Sequence, residues 1–393
     1  MFILVFNTFT WFYMLLVVIE KTPSSLNVGP PFRTIFYIAT IGSAIAGSLF
    51  SEKVRRLYFL HLWIVLGIAC SFSLIFIYNV AIAYISIIFI LLGISFGLGM
   101  PSCLAYLADH TQIENRGLVS AIVLLASNLS AFPLAIFFTA VDLTIYSVIL
   151  TVWRIFGLLL FASFKPQKNF SPEIREHTSF SSVLQNRQLV LYLVPWLMFS
   201  FIDRFEKIIF RNFIELGFYQ SVLTFEPVIA SFSIFLGGLL CDRIGRKKVV
   251  IYGFVSLGVA YALIGIAPMT TISWYFYLAL DGIAAGILSV IFLLILWGDL
   301  SRLHKKEKYY VVGIIPLFLT EVISLPLAPY IQLIPASSSF SLASFFLFLA
   351  VLPLIYAPET LPEKKIRLRQ LRNYAERAKK VRDKYLKKSS IAG

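Results

Sequence analysis

Acids and bases occur inside the long apolar runs of this sequence, and they are the residues whose types could do chemistry. Glu321 lies in Leu319-Thr320-Glu321-Val322, and Asp281 precedes Gly282-Ile283-Ala284-Ala285-Gly286. Glu226 precedes Pro227, the stretch Asp203-Arg204-Phe205-Glu206-Lys207 carries four charges, and Arg154 sits alone between apolar neighbours. A charge at mid-bilayer costs at least about 2.5–3.5 kcal/mol, so each of these faces a partner or a wet cavity. Two chemistries follow. A carboxylate in a low-dielectric cavity takes up a proton or neutralises a cation, which makes Glu321 and Asp281 candidates for proton coupling. A static ion pair is the other, for instance Glu226 or Asp203 with Arg204 or Lys207. Asn7, Thr10, Trp11, Tyr106 and Asn128 offer groups that orient a neutral solute or tie helices together. Nothing suggests an enzyme: His61, His110, His177 and His304 are isolated, and Cys70, Cys103 and Cys241 lack metal-ligand spacing. No metal or cofactor is expected.

The elements that must hold these residues are membrane helices. Of 393 residues 59% are hydrophobic and 14% charged, a composition that water would not solvate as a folded domain. Twelve apolar runs are long enough to span a bilayer, the first starting at residue 1 and the last ending at residue 357. Lys and Arg concentrate in alternate short gaps and in the tail, so the formal charge of +14 reads as topology, not as a nucleic-acid face. That bias predicts both termini in the cytoplasm of a multi-pass plasma-membrane protein.

A shift of 190 residues lays Gly47 on Gly237, Glu52 on Asp242, Lys53 on Arg243, Arg56 on Arg246 and Asp109 on Asp299. The expected architecture is therefore all-α, with twelve transmembrane helices in two pseudo-symmetric six-helix bundles. The bundles are placed at residues 1–163 and 189–357, joined by a polar cytoplasmic linker over 164–188. Residues 358–393 form a basic tail in which Leu368, Leu371, Ala375, Ala378, Val381 and Tyr385 recur at helical spacing. It is expected to lie as an amphipathic helix on anionic lipid.

The second copy of the repeat contains Gly237-Gly238-Leu239-Leu240-Cys241-Asp242-Arg243-Ile244-Gly245-Arg246-Lys247-Lys248. It resembles the inter-helix signature of the major facilitator superfamily, through Gly238, Leu240, Asp242, Arg243, Gly245, Arg246 and Lys247. The first copy is degenerate, with Arg55 at the place of Gly245. Tyr106-Leu107-Ala108-Asp109-His110-Thr111-Gln112-Ile113-Glu114-Asn115-Arg116-Gly117 is similar to the sugar-porter signature of the same superfamily, and Pro358-Glu359-Thr360 looks like that branch's ending. The resemblance implies a latch at the cytoplasmic end built from Asp109, Arg116, Gly117, Asp242, Arg243, Arg246 and Glu359, with Asp299, Glu52 and Arg56 as repeat partners. It also implies that helices 1, 2, 4, 5, 7, 8, 10 and 11 line a central cavity. Glu226, Asp281, Glu321, Asp203 and Arg204 then face that cavity, whereas Arg154, on helix 6, is a structural ion-pair partner.

The function implied is secondary transport of a small organic solute, a sugar or organic acid or similar, by alternating access coupled to protons. The sugar-binding motifs of helices 7 and 10 are absent, so the resemblance carries gating and not sugar specificity. The rivals are an exporter of amphipathic compounds and a non-transporting solute sensor on the same fold. The expected partners are the solute, protons and anionic inner-leaflet lipid, with no nucleic acid, and the expected state is a monomer.

Overall fold

A computed structural model describes residues 1–25, 31–79, 81–137, 141–163, 179–213, 216–301 and 305–362, and in the tail 371, 374–375 and 378–379. Hydrocarbon offers no water to backbone amides, so a spanning segment of this composition must close its own hydrogen bonds as helix. Twelve helices are long and apolar enough to cross: α1 (Phe2–Glu20), α2 (Pro31–Phe50), α3 (Arg56–Ile77), α4 (Ile82–Asp109), α5 (Arg116–Leu134), α6 (Leu143–Ser163), α7 (Arg187–Phe210), α8 (Thr224–Ile244), α9 (Arg246–Ile266), α10 (Thr271–Leu300), α11 (Lys306–Ile331) and α12 (Ala336–Tyr356). A short helix, Phe180–Leu184, precedes α7 and is capped by the Ser179 hydroxyl. Residues 164–178 of the expected linker and most of the expected tail lie outside the described residues; Leu371, Ala375 and Ala378 of its apolar positions are described and helical.

The packing repeats between halves. In the first half α2 packs on α4, α3 on α6 and α1 on α5; in the second α8 packs on α10, α9 on α12 and α7 on α11. The halves meet along α2–α11 and α5–α8, pairs that exchange when each helix number moves by six. The architecture is thus two pseudo-symmetric six-helix bundles.

Small residues set the close crossings. A Cβ on Gly97 would strike the Thr40 carbonyl of α2, and one on Gly286 the Ala230 carbonyl of α8. Around the same depth both inner helices lose regularity. α4 breaks between Gly97 and Met100, where Pro101 suits the first turn of the new segment, and α10 opens a π turn over Ile291–Ile295. Exposed apolar side chains recur at helical spacing on the supporting helices. Examples are Tyr58, Leu62 and Val65 on α3, Val148, Val152 and Ile155 on α6, Tyr252, Val255 and Val259 on α9, and Leu342, Phe345 and Leu349 on α12. Those faces match a lipid surround.

Candidate functional site

The charged groups fall into four places, and the first is the end of the molecule that carries the Asp242 elbow. Asp242 closes α8, and its Oδ1 and Oδ2 accept the backbone amides of Gly117 (3.0 Å) and Leu118 (2.8 Å) in the other bundle. This places a carboxylate on the free amides and positive dipole end of α5. Direct approach is possible because a Cβ on Gly238 would meet the Gly117 carbonyl, and one on Gly117 the Gly238 carbonyl.

Asp299, 1% exposed, pairs with Arg116 of the other bundle and, at 2.7 Å, with Arg246 of its own. The Thr360 hydroxyl donates to it at 3.3 Å. Arg116 also donates to the Ala108 carbonyl (2.6 Å), and Arg246 to the Ile113 carbonyl across the interface (2.5 Å). Glu359 accepts the amides of Arg246 (2.9 Å) and Lys247 (3.2 Å), so the chain after α12 caps α9. Gly245 between them has φ +103°, and a Cβ there would strike the Glu359 carboxylate. Lys247 turns its ammonium to the Ile355 carbonyl (2.6 Å), whereas Arg243 is exposed.

The first-half counterpart is built the same way. Asp109 pairs with Arg56 of its own bundle (2.5 Å) and with Lys306 of the other (2.7 Å). Arg56 also pairs with Glu307, and Glu52 with Lys308 at 2.9 Å, both across the interface. Lys306, Glu307 and Lys308 escape the sequence reading. Their signal was the repeat itself, since 190 residues separate Arg116 from Lys306 and Leu118 from Lys308. Just beyond α4, His110 lies against Tyr106, with Nδ1 2.9 Å from the Tyr106 carbonyl. Burial holds its imidazole below the usual histidine range.

The second place lies toward the far end, about 15 Å of helix short of the end of α11. Glu321 Oε2 is 2.8 Å from Arg204 Nη2 of α7 and 3.9 Å from Arg33 Nη2 of α2. Arg204 Nε also donates to the Ser324 hydroxyl at 3.1 Å. Arg33 belongs to the other bundle, so this cluster also spans the interface. One turn toward the elbow end, Tyr37 of α2 stacks on Phe318 of α11, with centroids 6.2 Å apart. Asn128 meets Ser231 of α8 at 3.3 Å in the second interface pair.

The third place is inside the second bundle. Lys207 binds Asp203 at 2.8 Å in an exposed i,i+4 pair. Glu206 is buried and accepts the hydroxyls of Tyr261 (2.7 Å) and Tyr277. Asp281, 5% exposed, lies within electrostatic reach of Glu226, Glu206 and Asp203. An apolar cavity of about 480 Å³ opens beside Glu206, lined by Phe201, Phe205, Tyr261, Phe340 and Phe346 among others.

The fourth place is inside the first bundle. Arg154 is wholly buried, with its guanidinium 4.6 Å from the ring centroids of both Trp11 and Trp63. Its Nη1 donates to Thr8 at 3.0 Å, and Asn7 Oδ1 lies 3.4 Å away. Among the described residues it forms no ion pair with a carboxylate; two aromatic faces take that place. Asn7 gives its amide to the Trp153 carbonyl (2.8 Å), and Trp11 its indole N–H to Ser71 (2.9 Å). Both therefore use their polar atoms within the bundle.

The pair packing repeated by a shift of six helices, the two interface seams and the twelve spans make a multi-pass membrane architecture, and the likeness to solved structures gives it the major facilitator fold. Among solved structures the chain is similar to the human organic anion transporter MFSD10 (TETRAN), with TM-score 0.68 and 15% identity over 90% of this chain and 97% of that one. It is also similar to the proton:xylose symporter XylE bound to 6-bromo-6-deoxy-D-glucose, with TM-score 0.65 and 14% identity over 91% and 95%. No family model and no curated protein sequence matches the chain.

Proposed function

We propose that the chain is a secondary transporter that moves a small organic solute by alternating access, coupled to protons. One observation carries the reading. Two repeat-related ion clusters clasp the bundles together at the elbow end, while a separate charged cluster bridges the same bundles toward the far end. Ties that form at one end and break at the other are what alternation requires. The solved neighbours, whose names describe an organic anion transporter and a proton:xylose symporter, support the class of activity.

In this reading the bundles, residues 1–163 and 189–357, rock about the 164–188 linker as a monomer in the plasma membrane. Both termini are cytoplasmic and the 358–393 tail rests on anionic lipid. Glu321 or Asp281 carries the coupled proton. Flux of solute into proteoliposomes under an imposed pH gradient tests it, with Glu321→Gln and Asp281→Asn separating the two carboxylates. Full pH-driven flux in both variants would remove proton coupling through these positions, and no flux of any solute would leave a sensor. A second reading, efflux of amphipathic compounds, is favoured by the apolar cavity beside Glu206; a pH gradient of reversed sign distinguishes it.

A further inference from the structure

The cluster toward the far end has two guanidinium groups paired to one carboxylate, Glu321, with Glu20 as a more distant negative charge. Arg204 is well served, by Glu321 at 2.8 Å and by Ser324 at 3.1 Å. Arg33 is not. Its nearest carboxylate oxygen is 3.9 Å away, and its Nε is buried without a hydrogen-bond partner. A buried guanidinium donor left unmade is costly, and a second anionic oxygen would satisfy it. Neighbouring carboxylates leave that donor unmade: Asp203 is engaged by Lys207, and Glu20, exposed at the end of α1, acts on Glu321 only from a distance and forms no ion pair among the described residues. The Arg33, Arg204 and Glu321 side chains remain 16–21% exposed, so the charged heads are partly accessible.

What lies beneath is aromatic and buried, Tyr37 at 3% and Phe318 at 7% exposed, so a ligand's ring reaches it as the α2–α11 seam loosens. Tyr37 follows Arg33 by one turn on α2, and Phe318 precedes Glu321 by one turn on α11. The two rings stack, and Phe318 sets its edge to Phe96 at 5.7 Å. A charged rim above an aromatic floor selects a ligand with an anionic head and a flat apolar body. From this juxtaposition we infer that Arg33 and Arg204 bind the carboxylate of an aromatic monocarboxylate whose ring lies on Tyr37 and Phe318, with Glu321 as the internal competitor. The inference rests on the transport reading for its purpose, since a head group held by α2 and α7 joins both bundles. It concerns binding, however, and is tested as binding.

The probe is sodium benzoate titrated onto the purified full chain at constant ionic strength, followed by calorimetry and by thermal unfolding, beside benzyl alcohol and benzylamine. Benzoate is expected to bind saturably and raise the unfolding temperature, and the neutral and cationic analogues to do neither. Arg33→Gln should weaken benzoate about tenfold or more, whereas Glu321→Gln should tighten it by a similar factor, because one removes a guanidinium and the other removes its internal competitor. A purely structural cluster would move both variants in one direction. The absence of saturable benzoate binding, equal binding of benzylamine, or a common direction for the two variants overturns the proposal. Should either variant fail to fold, the three-ligand comparison on the unmutated chain decides alone. Benzoate binding with no flux of benzoate or of any other solute in proteoliposomes sustains the site and removes the transport reading; flux of other solutes without benzoate binding does the reverse.

Discussion

The two elbows of this molecule derive from one pattern, yet they are finished differently. Around Asp299 the partners are Arg116 and Arg246, which are 2% and 0% exposed. Around Asp109 they are Arg56 and Lys306, whose side chains are 26% and 11% exposed. Asp242 seats its carboxylate directly on two backbone amides of α5, whereas Glu52, one methylene longer, reaches the Lys308 ammonium at the start of α11. The second elbow turns through Gly245 at φ +103°, but Arg55 holds the matching position of the first at φ −60°. One clasp is buried, the other more exposed and closed by a longer carboxylate, Glu52 in place of Asp242. The geometry at each copy also explains the degenerate motif: where no left-handed residue is required, no glycine is kept.

The same substitution made in both halves should separate them. Asp299→Asn strands two buried arginines and should cost about 3–5 kcal/mol. Asp109→Asn leaves Arg56 its pair with Glu307 and should cost about half as much. Thermal unfolding in detergent reads both, and equal losses would dissolve the distinction. Next in size, Gly245→Ala should destabilise by about 1–3 kcal/mol, since it combines a strained φ with a clash on Glu359. Arg55→Gly should change stability by under about 1 kcal/mol, as it alters an exposed residue in ordinary backbone. Asp242→Asn, which surrenders a charge-assisted bond to an α5 amide, should cost about 1–2 kcal/mol and raise solvent access at the elbow end by cysteine labelling. Lys306→Ala should cost about 1 kcal/mol, because Asp109 keeps Arg56.

How far these features were legible differs with the kind of signal. The spans and the two-bundle plan follow from apolar length and from the 190-residue shift, both properties of the chain order. The Asp109 and Asp299 clusters follow from the same shift, and so does Lys306, on which it lands Arg116, although a lysine in a charged gap carries no local mark of that role. Arg33 reads in the sequence as a rim charge; that it meets Glu321 depends on α2 packing along α11, which no local pattern states. Helix rotation is the other gap. Asn7 and Trp11 have the types of solute contacts, yet the turn of α1 directs them to α6 and α3, where they help enclose Arg154.

The contact of Gly117 with Gly238 has a consequence for kinetics. With no side chain on either residue, peptide carbonyls rest against the opposing backbone, and the amides of Gly117 and Leu118 are held by Asp242. Parting the seam there bares polar backbone that hydrocarbon cannot accept, so water must enter as the helices separate. Deuterium uptake at those two amides would therefore clock each opening of this end, with no label attached to the protein.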